Sequence, residues 1–290
     1  MNQCTTIYNY MKQHGSVGRT GHGMNYEQQH EEDLQRIRGF RLIDDDFMNA
    51  CFDNNIEDTE LILRIILNRP DISVKSVRTQ QVMKNLLGRD IWLDIDAKDK
   101  DDNEFDVEIQ RSDKGADRKR ARYHSSMLDA HSLRPKEAFS ALRDNYVIFI
   151  TENDVIGKGK PLYRIERRIE ETGELFNDGE HIIYVNGADR DSSTALGRLM
   201  HDFFCTDPDD MNYQQLAKKA RFFKENEEGK AAMCKVLEDM RNETAREAAE
   251  LKSIEIAERM LADGMALEKV AEYSGLKLEK VQELAQQRSA

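Results

Sequence analysis

The chain has 290 residues, 34% of them charged, and a formal net charge of −12. That length allows one sizeable α/β domain with an extension, or two small domains, and a core of ordinary size needs neither disulfides nor a structural metal. No apolar run reaches the ~18 residues of a membrane span, and MNQCTTIYNY lacks a basic stretch leading into an apolar one, so a cytoplasmic protein is expected.

Cys4, Cys51, Cys205 and Cys234 form no CxxC pair, which argues against a zinc ribbon or a disulfide framework and for reduced, mostly buried thiols. The acidic net charge bears on solubility, whereas binding depends on where charge sits. Here it is segregated. Asp94 to Glu108 holds eight acids and two lysines; Arg111 to Arg122 holds six bases and two acids. An acidic pocket beside a basic segment suits an enzyme that holds a cation next to a phosphate backbone.

Residues 1–30 are polar and aperiodic and read as a loose leader. IDDDFMNACF at 43–52 and IEDTELILRIIL at 56–67 predict two core helices, the second with Leu61, Ile62, Ile65 and Ile66 at helical spacing and Pro70 closing it. ISVKSVR at 72–78 predicts a strand. IWLDIDA at 91–97 and EFDVEIQ at 104–110 alternate apolar and polar residues around the turn-forming KDKDDN, the pattern of a β-hairpin. Lys114 to Asp129 reads as a helix, NYVIFIT at 145–151 as a buried strand, and YRIERRI (163–169) and HIIYVNG (181–187) as two more. The order αα-βββ-α-βββ predicts an α/β core with a mixed sheet. After Ser192 helical segments dominate. The last of them breaks at Gly264 and Gly275 into three short helices.

Alternation puts Trp92, Asp94 and Asp96 on one face of the first hairpin strand and Asp106, Glu108 and Gln110 on one face of the second. A register in which paired numbers sum to 202 sets Asp94 opposite Glu108, Asp96 opposite Asp106 and Trp92 opposite Gln110; a two-residue shift keeps the facing but changes the pairs. Carboxylates held that close need protons or a cation, and Mg²⁺ or Mn²⁺ is the natural occupant for hard oxygen ligands. Such an ion polarises a phosphoryl oxygen and acidifies a bound water, which Gln110 is placed to orient. A solvated hairpin with an acidic turn has the same spacing and is the commoner case.

The run LDIDAKDKDDNEFDVEIQ at 93–110 resembles the active-site hairpin of the PD-(D/E)XK nuclease-family transposases, the recombination-promoting nucleases. IDDDFMNACF, LILRIIL, RKRARYHSSMLD, NYVIFITEND and the tail MLADGMALEKVAEYSGLKLEKVQELA extend the likeness over about residues 40–290. The resemblance implies a restriction-endonuclease-like mixed β-sheet core flanked by helices (31–205) with a helical C-terminal extension (206–290). It implies a Mg²⁺-dependent (or Mn²⁺-dependent) DNA endonuclease, recombination-promoting or tied to a mobile element. Asp94 and Glu108 then take the metal-binding positions, Gln110 stands where the parent motif has lysine, and the Ile109 carbonyl completes the metal shell. Asp46 is the candidate acid from the first core helix, with Asp44 and Asp45 as alternatives.

Gln110 brings no positive charge to the attacking water, so Lys119 or Arg120 is a candidate to compensate. Arg111, Lys114, Arg118, Lys119, Arg120 and Arg122 are the expected DNA-phosphate contacts; a solvated basic face is the plainer reading of them. Tyr123 and His124 read as packing and surface residues, and His131, His181 and His201 show no ligand spacing. The tail, with LEKVQELAQQR as recognition helix, reads either as a helix-turn-helix or as an oligomerisation or docking element; its 266–290 segment carries four bases and four acids, without a phosphate-binding excess. The alternative to the enzyme is a nuclease-fold protein that binds DNA or another protein without turnover. Strand transfer rests on the family resemblance alone.

Overall fold

The computed structural model describes residues 26–85, 88–111 and 113–289, excluding the side chains of Tyr26, Asp113, Lys114, Arg288 and Ser289. Residues 1–25 of the expected leader lie outside them. A helix the sequence did not signal, α1 (Tyr26–Gly39), comes first among the described residues. The two expected core helices follow as α2 (Asp45–Phe52) and α3 (Ile56–Leu67). Asn55 starts α3 by accepting the Asp58 N–H at 3.2 Å. Asn68 ends it in the left-handed region, where a short polar side chain is tolerated.

Three strands come next: β1 (Val74–Met83), β2 (Ile91–Asp99) and β3 (Glu104–Gln110). Strand β1 runs five residues beyond the expected end at Arg78, because Thr79, Gln81, Val82 and Met83 all find partners on β2. The β2–β3 turn is made by Asp99, whose Oδ1 accepts the N–H groups of Asp101 at 2.9 Å and Asn103 at 3.0 Å. Its register pairs Ile95 with Val107 and Asp96 with Asp106, the sum of 202 taken for the hairpin from its sequence.

Helix α4 (Arg118–Ser132) carries the chain to β4 (Asn145–Thr151), which lies parallel to β3 and is buried at every residue. A parallel pair requires such a crossover. Strand β6 (Glu180–Asn186) pairs parallel to β4, and β5 (Leu162–Ile165) is the antiparallel edge. The sheet order is β1-β2-β3-β4-β6-β5. Strand β5 stops four residues short of the expected Ile169; beyond it the chain makes an isolated bridge between Arg168 and Leu175 instead of continuing along β6. Helices α2 and α3 pack on β1 and β2, and α4 packs on β4 and β6. Met127 and Leu128 of α4 share a core with Val147, Phe149 and Tyr184.

Helices α5 (Ala195–Phe204), α6 (Gln214–Glu225), α7 (Glu227–Ala262), α8 (Leu267–Ser274) and α9 (Leu278–Ser289) complete the described chain. Two compact units divide at Met233 and Cys234, within α7. In the second unit Ala257, Val270, Val281 and Leu284 form the core, and the chain turns at Gly264 and Gly275, both at positive φ, as the sequence predicts. No described helix is long and apolar enough to cross a membrane.

In the first unit the α1–α2 junction, which leads into the acids at 44–46, is secured by a buried lysine. Lys224 Nζ donates to the carbonyls of Arg38 at 3.1 Å, Phe40 at 2.5 Å and Thr206, and lies 5.2 Å from the Phe47 ring centroid. Lys224→Met keeps the stem but strands three acceptors. It is expected to cost about 2–4 kcal/mol, read as a lower urea midpoint at unchanged slope.

Candidate active site

The hairpin does not stay paired to its end. The β2–β3 ladder runs from Lys98 and Glu104 to Ile95 and Val107, and beyond that rung a side chain takes over. Asp94 Oδ2 accepts the Ile109 N–H at 2.8 Å, while the Asp94 N–H donates to Glu108 Oε1 at 3.2 Å. The two carboxylates are thus locked reciprocally. Since the N–H and C=O of one strand residue point to the same side, the Ile109 carbonyl also faces β2. Asp94, Glu108 and the Ile109 backbone therefore meet where the strands part.

Glu108 shares its sheet face with Asp106 and, by the parallel register, with Val147 and Phe149 of β4. Helix α4 covers that face. His124 is 2% exposed, with Nδ1 2.8 Å from Asp106 Oδ2. Arg120 donates its Nε–H to His124 Nε2 at 3.2 Å, Nη1–H to the Gly115 carbonyl at 3.0 Å and Nη2–H to Glu108 Oε2. A nitrogen that accepts from a guanidinium carries no proton, so neutral His124 must donate through Nδ1 to Asp106. The Arg120 guanidinium also lies 5.8 Å from the Phe149 ring centroid.

Burial sets the electrostatics. Asp94 is pushed up to about 6, mainly by desolvation and then by Asp45, against the Ile109 hydrogen bond. Glu108 and Asp106 are both held well above the carboxylate range by burial, reinforced by the neighbouring carboxylates. His124 is lowered by burial, which agrees with its neutral tautomer.

Asp106, Glu108 and His124 offer ligand atoms all within 4.8 Å of one another and by distance could hold a metal. Both His124 nitrogens are already engaged, so this group suits a support under Glu108 better than a separate ion site. Asp94, Glu108 and the Ile109 carbonyl are all hard oxygen donors, a donor set that fits Mg²⁺ or Mn²⁺.

A family model described as PD-(D/E)XK nuclease family transposase matches residues 47–195. The chain belongs to this family. No curated protein and no solved structure matches it. The family match spans β2, β3 and α4, hence Asp94, Glu108, Gln110 and Arg120, but begins after Asp46.

The three acids before and within α2 differ in their surroundings. Asp44 accepts the Arg41 N–H at 2.8 Å and pairs with Arg111 at 3.1 Å. Asp46, the sequence candidate, is influenced by Arg36 rather than by Asp94. Asp45 is the one whose charge acts on Asp94. Gln110 packs its amide against Gly115, where an added methyl would overlap Gln110 Oε1. Of the expected phosphate contacts, Arg120 turns inward and Arg111 pairs with Asp44. Arg118, Lys119 and Arg122 are exposed and make no ion pair among the described residues. The Lys114 side chain lies outside them.

The sequence placed Asp106 on the hairpin face without a role and read His124 as a packing or surface residue; their pairing was missed. The signal for His124 was present: Ala121, His124, Ser125 and Leu128 form one helical stripe, and all are buried.

Asp94 keeps its proton up to about pH 6 when folded but only to about pH 4 when unfolded, so folding takes up a proton between those values. Its contribution to stability falls as pH rises through that window and stays unfavourable above it. In EDTA at pH 8, Asp94→Asn is therefore expected to be more stable than the wild type by on the order of 2–3 kcal/mol, with the gap closing below about pH 4 in urea titrations.

Proposed function

We propose that this protein is a divalent-metal-dependent DNA endonuclease that hydrolyses phosphodiester bonds, in keeping with a recombination-promoting or mobile-element role. The observation that carries the reading is the interlock of Asp94 with Glu108 and the Ile109 backbone at the open end of the hairpin. Asp94, Glu108 and the Ile109 carbonyl would hold Mg²⁺ or Mn²⁺, with Asp45 close enough to add charge. When bound, such an ion polarises a phosphoryl oxygen and generates a nucleophilic water at neutral pH.

The chain's own groups do the rest. Gln110, next on the strand face after Glu108, orients the attacking water through its amide. Arg118, Lys119 and Arg122, exposed on the helix that covers Glu108, hold the DNA backbone without reading bases. Asp94 must be ionised to act as a ligand, so the ion competes with the proton that burial favours there, and metal binding weakens as pH falls.

Plasmid nicking with Mg²⁺ or Mn²⁺ tests the reading. Asp94→Ala and Glu108→Ala are each expected to lower cleavage by about 100-fold or more while DNA binding persists. Wild-type rates in Asp94→Ala would sink the assignment. The combined Arg118→Ala, Lys119→Ala and Arg122→Ala variant should bind DNA more weakly and with a salt dependence reduced by about three units of slope. A second reading, a DNA-binding protein without turnover, is favoured by one observation only: Gln110 lacks the cationic head of lysine. Retained binding with no cleavage at any metal concentration would support it.

A further inference from the structure

Strands β3, β4 and β6 run parallel, so Gln110, Thr151 and Asn186 end them at one edge of the sheet. In open α/β sheets ligands gather at that edge, among the loops that leave it. The loop leaving β4 spans residues 152–161. It starts against the candidate site, where the Glu152 N–H donates to the Gln110 carbonyl at 3.1 Å. It ends against β6, where Asn186 Nδ2 donates to the Lys160 carbonyl at 3.2 Å. Val155, Ile156 and Tyr163 pack on a core that contains Ala116, Ala121 and Tyr184.

Between those anchors five consecutive N–H groups turn inward. Asp154 Oδ1 accepts from Ile156 at 3.2 Å and Gly157 at 2.9 Å, and Oδ2 accepts from Gly159 at 2.7 Å. The Tyr163 hydroxyl donates to the same carboxylate at 2.8 Å and accepts the N–H groups of Lys158 at 3.1 Å and Lys160 at 3.0 Å. Gly157 and Gly159 stand at φ of 74° and 65°, the conformation that winding around Asp154 requires. None of those five N–H groups is left for a ligand. What the loop presents is side chains: Lys158 and Lys160, both exposed and without an ion pair among the described residues. A backbone already fixed loses little freedom when such side chains bind.

The two lysines continue a basic rim. Tyr163 pairs with Tyr184 across β5 and β6, and Tyr184 feels the charges of Asp117 and Arg118 at the start of α4. The loop therefore stands near Arg118. We propose that Lys158 and Lys160 form a second contact with the DNA backbone, held by the Asp154–Tyr163 hub and extending the phosphate track of Arg118, Lys119 and Arg122 along the edge where the parallel strands end. This contact rests on the DNA-binding part of the nuclease reading and on none of its metal chemistry.

Binding of a labelled DNA duplex to the full chain in EDTA, followed by fluorescence anisotropy over about 50–200 mM salt, tests it. The double variant Lys158→Gln, Lys160→Gln should bind about tenfold more weakly, with the salt dependence reduced by about two units of slope. Asp154→Ala should also weaken binding, by about threefold, although it removes a negative charge, because the lysines are no longer held. Tyr163→Phe loosens the same hub without changing charge and should weaken binding likewise, which decides the point should Asp154→Ala fold poorly. Wild-type affinity and slope in the double lysine variant overturn the proposal. Unchanged or tighter binding in either hub variant would mean that the lysines act through net charge alone, and overturns it too. Failure of the nuclease reading looks different: DNA is still bound, and bound more weakly by the lysine variant, but no metal brings cleavage.

Discussion

The Asp94 carboxylate stands where a backbone rung should be. An antiparallel hairpin would normally spend the Ile109 N–H on the opposing main chain; here Asp94 Oδ2 accepts it. This substitution lets β2 and β3 separate without leaving a buried donor unpaired. It also turns the Ile109 carbonyl toward the gap and brings Glu108 against the Asp94 amide. Every other feature of the site answers to the charge gathered at that opening.

The answer comes largely from α4. Four carboxyl groups, Asp94, Asp96, Asp106 and Glu108, sit on two adjacent strands, and burial raises all of them above their ordinary range. A charge-paired and hydrogen-bonded arrangement is the condition for keeping such groups inside a protein. Arg120 supplies the charge, His124 the neutral connection, and Phe149 the flat apolar surface beneath both. The result is a set of buried carboxyl groups partnered by the chain's own side chains.

Much of this was legible in the sequence. The hairpin and the facing of Asp94 and Glu108 follow from strict alternation around a polar turn; the register does not, because a two-residue shift keeps every side chain on its face. The family resemblance placed chemistry there, and the family match covers residues 47–195, the hairpin included. What stayed hidden was which side chains cross between elements. Arg120 looked like one of six basic residues, since nothing local distinguishes a cation aimed at a buried glutamate from its solvated neighbours. Asp45 and Asp46 differ by about 100° around a helix, so only the docking angle of α2 decides which of them acts on Asp94. His124 could have been found, because a polar residue on a buried stripe asks for a partner; the partner, Asp106, was already marked on the hairpin face.

Gly115 ties these threads together in a different way. Its missing side chain makes room for the Gln110 amide, and its carbonyl receives Arg120 Nη1. One small residue therefore carries a double obligation, to the Gln110 amide and to the Arg120 guanidinium. Position 115 thereby joins the end of a strand to the start of the helix that covers it: a methyl added there would meet the Gln110 amide, and its carbonyl holds the helix's arginine.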